Sequence, residues 1–303
     1  MVFLGSISGR AKPRLGTAIF AVGLATAFAG CAGSDLKIQQ SGRVNPWTHL
    51  NLYNASDDFQ FAIVSDRTGG HRPGVFADAV EKLNLLKPEF VVCVGDLIEG
   101  YSDDDAELER QWQEFDSLAN KLQMPFFYLP GNHDISNQAM AEKWRERLGS
   151  SYYHFVYRDV LFLCLNTEDT GKRYISDRQI DYFRKVLTDN PPGRVRWTLV
   201  FMHEPMWLGT SYENWQQFES LLEDRDYTVF AGHVHRYGKA VRNDKRYYIL
   251  ATTGGTGEGD AGKPAGIAQC EFDHIVWVTM TDDGPAVANL LLEGIFNDEP
   301  CPQ

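Results

Sequence analysis

The sequence predicts an α/β protein in which two packed mixed β-sheets are flanked by helices. Between residues 61 and 149, short apolar runs typical of buried strands alternate three times with segments of helical periodicity. From residue 246 onward the chain is rich in strand-like runs and lacks long helical periods, which indicates mixed rather than wholly parallel sheets.

The predicted elements follow one another along the whole chain. The runs FAIV, FVVCVG and FFYLPG each begin a strand–helix pair, and YYHFVY and VLFLCLN are two adjacent strands. Ser176 and Gln179 form a capping box that predicts a helix from about Ile175 to Leu187. The runs WTLVFMHEP and YTVFAGHVH are further strands with a helix near Trp215–Leu222 between them, and RYYILATTGG, IVWVTM and AVANLLLEG complete the set.

Residues 1–30 have the features of an export signal. Three basic residues between positions 10 and 14 precede an apolar run from Leu15 to Phe28, and small residues precede Cys31, which resembles a bacterial lipobox. We expect a lipid anchor on Cys31 and a location in the cell envelope, on the periplasmic face of the outer membrane in a bacterium with two membranes. A cleaved signal peptide is the alternative, and a permanent span would need ~20 apolar residues.

The remaining chain predicts one domain behind a tether. Residues 31–57 are polar and aperiodic, and no repeat or Pro/Gly/Ser-rich break interrupts residues 58–303. The chain has 41 acidic and 29 basic residues, so nucleic acid is not an expected partner. Bound cations can still reverse the field locally at a phosphate site. The oligomeric state stays open.

The cysteines do not predict cysteine chemistry. Cys93 and Cys164 lie inside predicted strands and are expected to be buried. An oxidising compartment would permit Cys270 and Cys301 to pair, but no CxxC or zinc-finger spacing occurs.

Polar side chains that can bind metal ions follow five of the predicted strands. They are Asp66, Asp96, the Asn132–His133–Asp134 run, His203, and the pair His233 and His235. Each alone has a structural explanation, because Asp and Asn favour turns and single histidines are usually core or loop residues. Open α/β sheets gather their ligands at the carboxyl ends of strands, so we expect these groups to lie together.

The donor types predict a dinuclear metal site. Carboxylate, amide and imidazole donors without thiolates suit Mn²⁺, Fe, Zn²⁺ or Mg²⁺. The spacing of His233 and His235 places both imidazoles on one side of an extended backbone, so that each can serve a neighbouring ion. Two such ions activate water near neutral pH and clamp the oxygens of an in-line displacement. Hydrolysis of a phosphate ester follows.

In their order and placement, the motifs GD, GNHD, a later lone histidine and GHVH resemble those of the calcineurin-like metallophosphoesterase family, over about residues 60–255. The resemblance implies the two-sheet sandwich, two divalent metal ions and hydrolysis of phosphate mono- or diesters. The implied ligands are a bridging Asp96, one set of Asn132, His203 and His233, and another of Asp66 and His235. It also implies that His133 protonates the leaving oxygen and that Asp134 orients His133.

This chain departs from the family in one position. The family usually has a histidine two residues after the first aspartate, and this chain has Thr68. A hydroxyl is a poorer donor than imidazole, so the second ion is expected to bind weakly, through water, or with His71 as a substitute ligand. Arg67 and His71 could instead bind the phosphate of a small substrate. A solvated surface arginine is the other interpretation of Arg67.

Two other classes of function are alternatives. A degenerate relative could bind phosphorylated envelope components without hydrolysis, with Thr68 as its main support, but a pure binder needs no proton donor such as His133. A structural lipoprotein would explain the anchor and none of the strand ends. Trp207, Tyr212 and Trp215 could stack on a base or sugar, or pack against the domain's own surface.

Overall fold

The computed structural model describes residues 48, 52, 55–169, 173–209 and 213–294. The described residues from Ser56 onward belong to one compact unit. The predicted signal, Cys31, most of the tether, Tyr212 and Cys301 lie outside the described residues. None of the helices in the described part combines the length and apolar character that a bilayer span requires.

Strands and helices alternate through the first two thirds of the unit. In chain order the elements are β1 (Phe59–Val64), α1 (Val75–Leu86), β2 (Val91–Cys93), α2 (Asp105–Ala119), β3 (Phe126–Phe127), α3 (Gln138–Leu148), β4 (Tyr153–Tyr157), β5 (Val160–Cys164), α4 (Asp177–Asp189), β6 (Trp197–Phe201), α5 (Glu213–Ser220), β7 (Tyr227–Ala231), β8 (Gly238–Arg242), β9 (Lys245–Ile249), β10 (His274–Thr281) and β11 (Gly284–Leu291).

The strands form two mixed sheets, which confirms the predicted fold class. The first sheet has the order β11-β10-β1-β2-β3, in which β1, β2 and β3 are parallel and β10 is antiparallel to both neighbours. The second has the order β4-β5-β6-β7-β9-β8, in which the four central strands are parallel and the two edge strands antiparallel. Parallel strands bring their carboxyl ends to one edge of each sheet.

A row of stacked aromatic rings lies on the inner face of the second sheet. One ring from each of five neighbouring strands stacks on the next, with centroids 4.4–6.0 Å apart: Phe155, Phe162, Phe201, Phe230 and Tyr248. Phe61 of β1 meets Phe162 edge to face at 5.4 Å, so the same core joins the two sheets. A second apolar cluster lies between the second sheet and helices α4 and α5. Cys93 and Cys164 are buried in the core, as predicted.

Two local predictions differ from the structure. The sequence did not predict β8, because GKAVR has no apolar run and Val241 is exposed on this edge strand. Helix α4 begins after Ser176, whose hydroxyl accepts from the Gln179 N–H as predicted. The Gln179 side chain exchanges hydrogen bonds with the Asn166 backbone instead of returning to Ser176, so only half of the capping box forms.

Candidate metal centre

Four of the predicted ligands adopt left-handed backbone conformations at the strand ends. The φ angles are 47° at Asp66, 60° at Asp96, 70° at His233 and 57° at His235. A left-handed conformation at a residue other than glycine costs of order 1–3 kcal/mol, and such residues are concentrated at functional sites. The backbone conformation of these turns, considered by itself, therefore indicates a candidate functional site.

One cluster of donors, which we call the first ligand group, contains Asp96, Asn132, His203 and His233. Candidate ligand atoms of its carboxylate and two imidazoles lie within 4.8 Å of one another. The Oδ1 atom of Asn132 is 2.8 Å from both His203 Nε2 and His233 Nδ1. The other nitrogen of His203 bonds to the Val94 carbonyl at 2.9 Å, which leaves Nε2 for the group.

A second cluster, the second ligand group, contains Asp66, Asp96 and His235. Their candidate ligand atoms also lie within 4.8 Å of one another, and His235 Nε2 is 3.5 Å from Asp66 Oδ1. The Nδ1 atom of His235 bonds to the Thr256 carbonyl at 2.7 Å. Asp96 belongs to both groups, which is the position that a bridging carboxylate requires.

Burial and mutual charge shift the pKa values of these groups. Burial alone would lower the pKa of His203, but the Asp96 carboxylate raises it to about 10, and Asp66 likewise raises the pKa of His235 to about 9. Burial and the charge of His203 lower the pKa of His233 to about 4. The buried carboxylates thus draw positive charge to the centre, and a bound cation would displace those protons.

Two glycines allow the ligand loops to approach closely. A Cβ atom on Gly131 would lie 2.2 Å from Asp96 Oδ1, and one on Gly232 would lie 2.4 Å from Asp66 Oδ2. The space beside each carboxylate is therefore kept clear. The close approach of these loops brings carboxylate, amide and imidazole donors together, and such a donor set fits a pair of divalent cations.

His133 lies beside the ligand groups with one ring nitrogen engaged. Its Nδ1 is 2.7 Å from the Glu99 carbonyl oxygen, so the proton is on Nδ1 in the neutral ring and Nε2 remains available. Its backbone N–H donates to Asp96 Oδ1 at 3.0 Å. When the ring is protonated, this arrangement leaves the Nε2 proton for donation.

Residues 49–237 match the family described as calcineurin-like phosphoesterases. The chain belongs to the calcineurin-like phosphoesterase family. Its relatives include purple acid phosphatase 5 of Arabidopsis thaliana, 25% identical over 72% of this chain and 50% of that protein. A probable glycerophosphodiester phosphodiesterase of Arcobacter nitrofigilis is 24% identical over 52% and 60%. A 3',5'-cyclic-nucleotide phosphodiesterase of Nostoc is 26% identical over 57% and 66%. The chain thus spans about half to two thirds of these relatives.

Solved structures share the calcineurin-like phosphoesterase fold. A dimetal phosphatase from Danio rerio has a TM-score of 0.56 at 15% identity, over 77% of this chain and 99% of that one. A purple acid phosphatase from yellow lupin has a TM-score of 0.58 at 14% identity, over 79% and 52%. GAP50, described as the anchor in the inner membrane complex of Plasmodium, has 0.59 at 15% identity, over 79% and 86%. At these identities the likeness shows the fold.

The predicted role of Asp134 in this phosphoesterase centre is wrong. Its buried carboxylate accepts from the backbone N–H groups of residues 96–98 and of Gly131, at 2.8–3.1 Å. The His133 ring is held by the Glu99 carbonyl instead. Asp134 therefore ties together the two loops that carry Asp96 and His133, and it does so through the backbone.

Arg67 is also placed differently from both interpretations of the sequence. It is 4% exposed, and its guanidinium donates to Glu114 of α2 at 2.5 Å and to the Leu97 carbonyl at 2.8 Å. It is neither a solvated surface residue nor available to a substrate phosphate. Its charge is committed to holding the β1 loop against α2.

The loop that follows Asp66 is held by Glu99. This carboxylate accepts from the backbone N–H groups of Gly70 and His71, at 3.2 and 2.6 Å, and its Oε1 is 3.2 Å from His71 Nδ1. Partial burial would raise the pKa of Glu99, but these donors lower it to about 2. The Thr68 hydroxyl is buried and forms no well-aligned hydrogen bond. His71 lies outside both ligand groups.

Sequence reasoning missed a charged pair beside His233. Glu204 follows His203, is 3% exposed, and places Oε2 3.3 Å from His233 Nε2. Arg173 lies 2.8 Å from Glu204 through Nε and 3.0 Å from His233 Nε2 through Nη2. The position of Glu204 next to a predicted ligand was a usable signal, whereas nothing in the local sequence marks Arg173.

Sequence reasoning also missed Tyr101. Its hydroxyl accepts from the Asn132 side-chain amide at 2.7 Å, and its ring meets that of His133 edge to face at 4.7 Å. By contrast, Trp207 and Trp215, for which the sequence left stacking on a substrate and packing within the domain open, pack against each other and against Tyr247. In the described loops, the aromatic side chain at the phosphoesterase centre is therefore Tyr101 rather than either tryptophan.

Proposed function

We propose that this protein hydrolyses a phosphate monoester or diester with the aid of two divalent cations. The observation that carries the proposal is the convergence of both ligand groups on Asp96. Membership of the phosphoesterase family and the phosphatase and phosphodiesterase names of the relatives support it. Cations held in the two groups would lower the pKa of a water molecule and offset the charge of the phosphoryl group.

The chain's own residues have distinct roles in this proposal. Asp96 holds the two halves of the centre together, and Asp134 fixes its loop through the backbone. His133 in its protonated form delivers the Nε2 proton to the leaving oxygen and becomes neutral, while the Glu99 carbonyl accepts from Nδ1–H and holds the ring in place. The ester bond to that oxygen breaks as water adds to phosphorus, so the products are an alcohol and a phosphate or phosphomonoester.

Turnover of aryl phosphates tests the proposal. We expect the purified full-length protein to hydrolyse a generic aryl phosphate mono- or diester with added Mn²⁺, and to lose the activity in EDTA and regain it with metal. Arg242→Gln, far from the ligand groups on β8, is the matched control and should retain activity. Turnover of equal size without metal, or none with Mn²⁺, Fe²⁺, Zn²⁺ or Mg²⁺, contradicts the proposal.

A second candidate function is binding of phosphorylated envelope components without hydrolysis. Two observations favour it: the second ligand group has Thr68 in place of an imidazole, and the fold also occurs in a protein described as an anchor. Phosphate binding by the metal-loaded protein, without turnover of any ester, would establish this alternative.

We further propose a lipid anchor on Cys31 and a location in the cell envelope, supported by the basic, apolar and small residues that precede this cysteine. Cys31→Ser should abolish lipid labelling and release the protein from membranes, whereas Cys270→Ser should behave as wild type. Membrane fractionation of the two variants is the measurement, and unchanged processing of Cys31→Ser would contradict the anchor.

A further inference from the structure

Tyr101 has an unfavourable backbone conformation and lies beside the candidate metal centre, against Asn132 and His133. Its φ is 50°, which is uncommon for a bulky side chain, and its side chain is 61% exposed. A Cβ atom on the preceding Gly100 would lie 1.7 Å from the His133 carbonyl oxygen, so this turn is pressed against the loop that carries Asn132 and His133. Backbone strain that keeps an aromatic side chain exposed points to a function for that side chain.

The hydrogen bonding of Tyr101 leaves one donor unused. The phenol oxygen accepts from Asn132 Nδ2, and the opposite end of the same amide, Oδ1, faces His203 and His233. Among the described residues the phenol proton has no acceptor, because this is the one hydrogen bond that its hydroxyl makes. A phosphoryl oxygen bound at the first ligand group would supply an acceptor.

Arg173 lies on the other side of the same group. Its Nη2 is 3.0 Å from His233 Nε2, and Glu204 orients the guanidinium through Nε at 2.8 Å. The arginine side chain is 54% exposed while the Glu204 side chain is 5% exposed, so a buried carboxylate holds a cation that faces solvent. A guanidinium has several N–H donors in one plane and forms strong, charge-assisted hydrogen bonds to phosphate oxygens.

The charge of the site explains why such a cation is needed. Asp66, Asp96 and Glu204 are buried carboxylates around the ligand groups, and they repel an anionic ester. Arg67 contributes nothing to the approach of the ester, because Glu114 and the Leu97 carbonyl engage it. Arg173 is the arginine that contacts a member of the first ligand group from its exposed side.

We propose that Tyr101 and Arg173 form a two-sided clamp on the phosphoryl group, in which the phenol donates to one non-bridging oxygen and the guanidinium to another. Glu204 is a positioning residue that holds Arg173. The clamp rests on the proposed function and deepens it, because it selects substrates with two accessible non-bridging oxygens on phosphorus. Both phosphomonoesters and phosphodiesters have them.

Calorimetric binding of inorganic phosphate to the Mn²⁺-loaded full-length protein tests the clamp. Tyr101→Phe keeps the ring against His133 and removes only the donor, and it should weaken phosphate binding on the order of tenfold. Arg173→Gln should weaken it by about 10- to 100-fold, and Arg173→Lys by less, because the charge remains and the fork is lost. In the double variant the two factors should multiply, since separate oxygens are bound.

Two matched controls isolate the clamp from general effects. Tyr157→Phe removes a phenol that bonds Glu89 at the far end of β4, and Arg242→Gln removes an arginine held by the buried Glu219. Both should bind phosphate as wild type. The Mn²⁺ content of all variants should match wild type, and the melting temperatures of Arg173→Gln and Arg242→Gln should fall alike, because each leaves a buried glutamate without its arginine. Weaker phosphate binding in Arg173→Gln but not in Arg242→Gln therefore cannot come from lost stability.

The failure of the clamp and the failure of the proposed function give different results. If wild type binds phosphate and hydrolyses esters, and Tyr101→Phe and Arg173→Gln bind phosphate as well as wild type does, the clamp is overturned alone. If metal-loaded wild type neither binds phosphate nor turns over any ester, the proposed function and the clamp fall together.

Discussion

The two ligand groups share Asp96, and the surroundings of their other members differ. The first ligand group contains two imidazoles, and the side-chain Oδ1 atom of Asn132 lies 2.8 Å from a nitrogen of each. The second contains one imidazole, that of His235, and beside it Thr68 offers a buried hydroxyl with no well-aligned hydrogen bond. One half of the centre therefore has more donors than the other.

The difference arises in a short loop rather than in the sheets. Asp66 and Asp96 both follow parallel strands of the first sheet, and both adopt left-handed backbone conformations. The loop after Asp66 is well anchored, because Glu99 binds its backbone and Asp66 is buried. We therefore expect the two ligand groups to hold ions with unequal affinity, and the side chain at position 68 to determine the affinity of the second group.

Removing the shared carboxylate should have the largest effect. Asp96→Asn takes a ligand from both groups, so we expect both ions to be lost and turnover to fall by a factor on the order of 10³ or more. Asp66→Asn, its matched partner, should affect only the second ion. Metal analysis and aryl phosphate turnover of both variants are the measurements. Loss of a single ion in Asp96→Asn would show that Asp96 is a ligand in only one group.

Metal titration should separate the two groups next. Stripped protein should take up one ion tightly and a second at least tenfold more weakly, with activity following the second. His233→Ala should abolish binding of the tightly held ion, and His235→Ala should abolish binding of the weakly held ion, because each imidazole belongs to a different group. Two ions of indistinguishable affinity would show that Thr68 does not matter.

Restoring an imidazole should make the two groups more alike. Thr68→His should lower the metal concentration needed for half-maximal turnover by about tenfold, since imidazole is the better donor. Thr68→Val is the control: it removes a buried hydroxyl that makes no well-aligned hydrogen bond, so metal affinity should be unchanged and stability should change little. An unchanged metal requirement in Thr68→His would contradict this explanation.

His71→Ala should have the smallest effect on metal binding. Its Nδ1 faces Glu99 and it lies outside both ligand groups, so we expect unchanged metal content. A Michaelis constant raised several-fold would then show that His71 contacts the substrate. Loss of the second ion in this variant would instead make His71 the substitute ligand. Metal analysis beside steady-state kinetics separates the two outcomes.

The sequence predicted what depends on local patterns. Apolar runs that end in Asp66, Asp96 and His203 mark strand ends, and the parallel sheets bring those ends together as expected. The side chains around them depend on contacts between distant segments. Arg67 directly follows a ligand, yet its partner Glu114 lies 47 residues later on a helix, and no local pattern reveals that pairing.

The same limit explains the missed residues. Tyr101 reaches Asn132 from a loop 31 residues earlier, and Arg173 reaches His233 across 60 residues. Asp134 has the spacing of a partner for the adjacent His133, but burial demands that its carboxylate be satisfied, and four backbone donors were nearer. The sequence therefore predicts which candidate ligands lie at strand ends. The side chains that contact them come from distant segments and can be identified only in the folded structure.

The ligand atoms come from both sheets, and this has a thermodynamic consequence for folding. Asp66, Asp96 and Asn132 follow strands of the first sheet, whereas the three histidines follow strands of the second. An unfolded chain cannot bring these atoms together, so cations bound here would link the two sheets and stabilise the folded state. By linkage, free metal at 100 times its dissociation constant would add about 2.7 kcal/mol to the free energy of unfolding. The midpoint temperature of unfolding would then depend on the concentration of free metal as well as on the packing of the core.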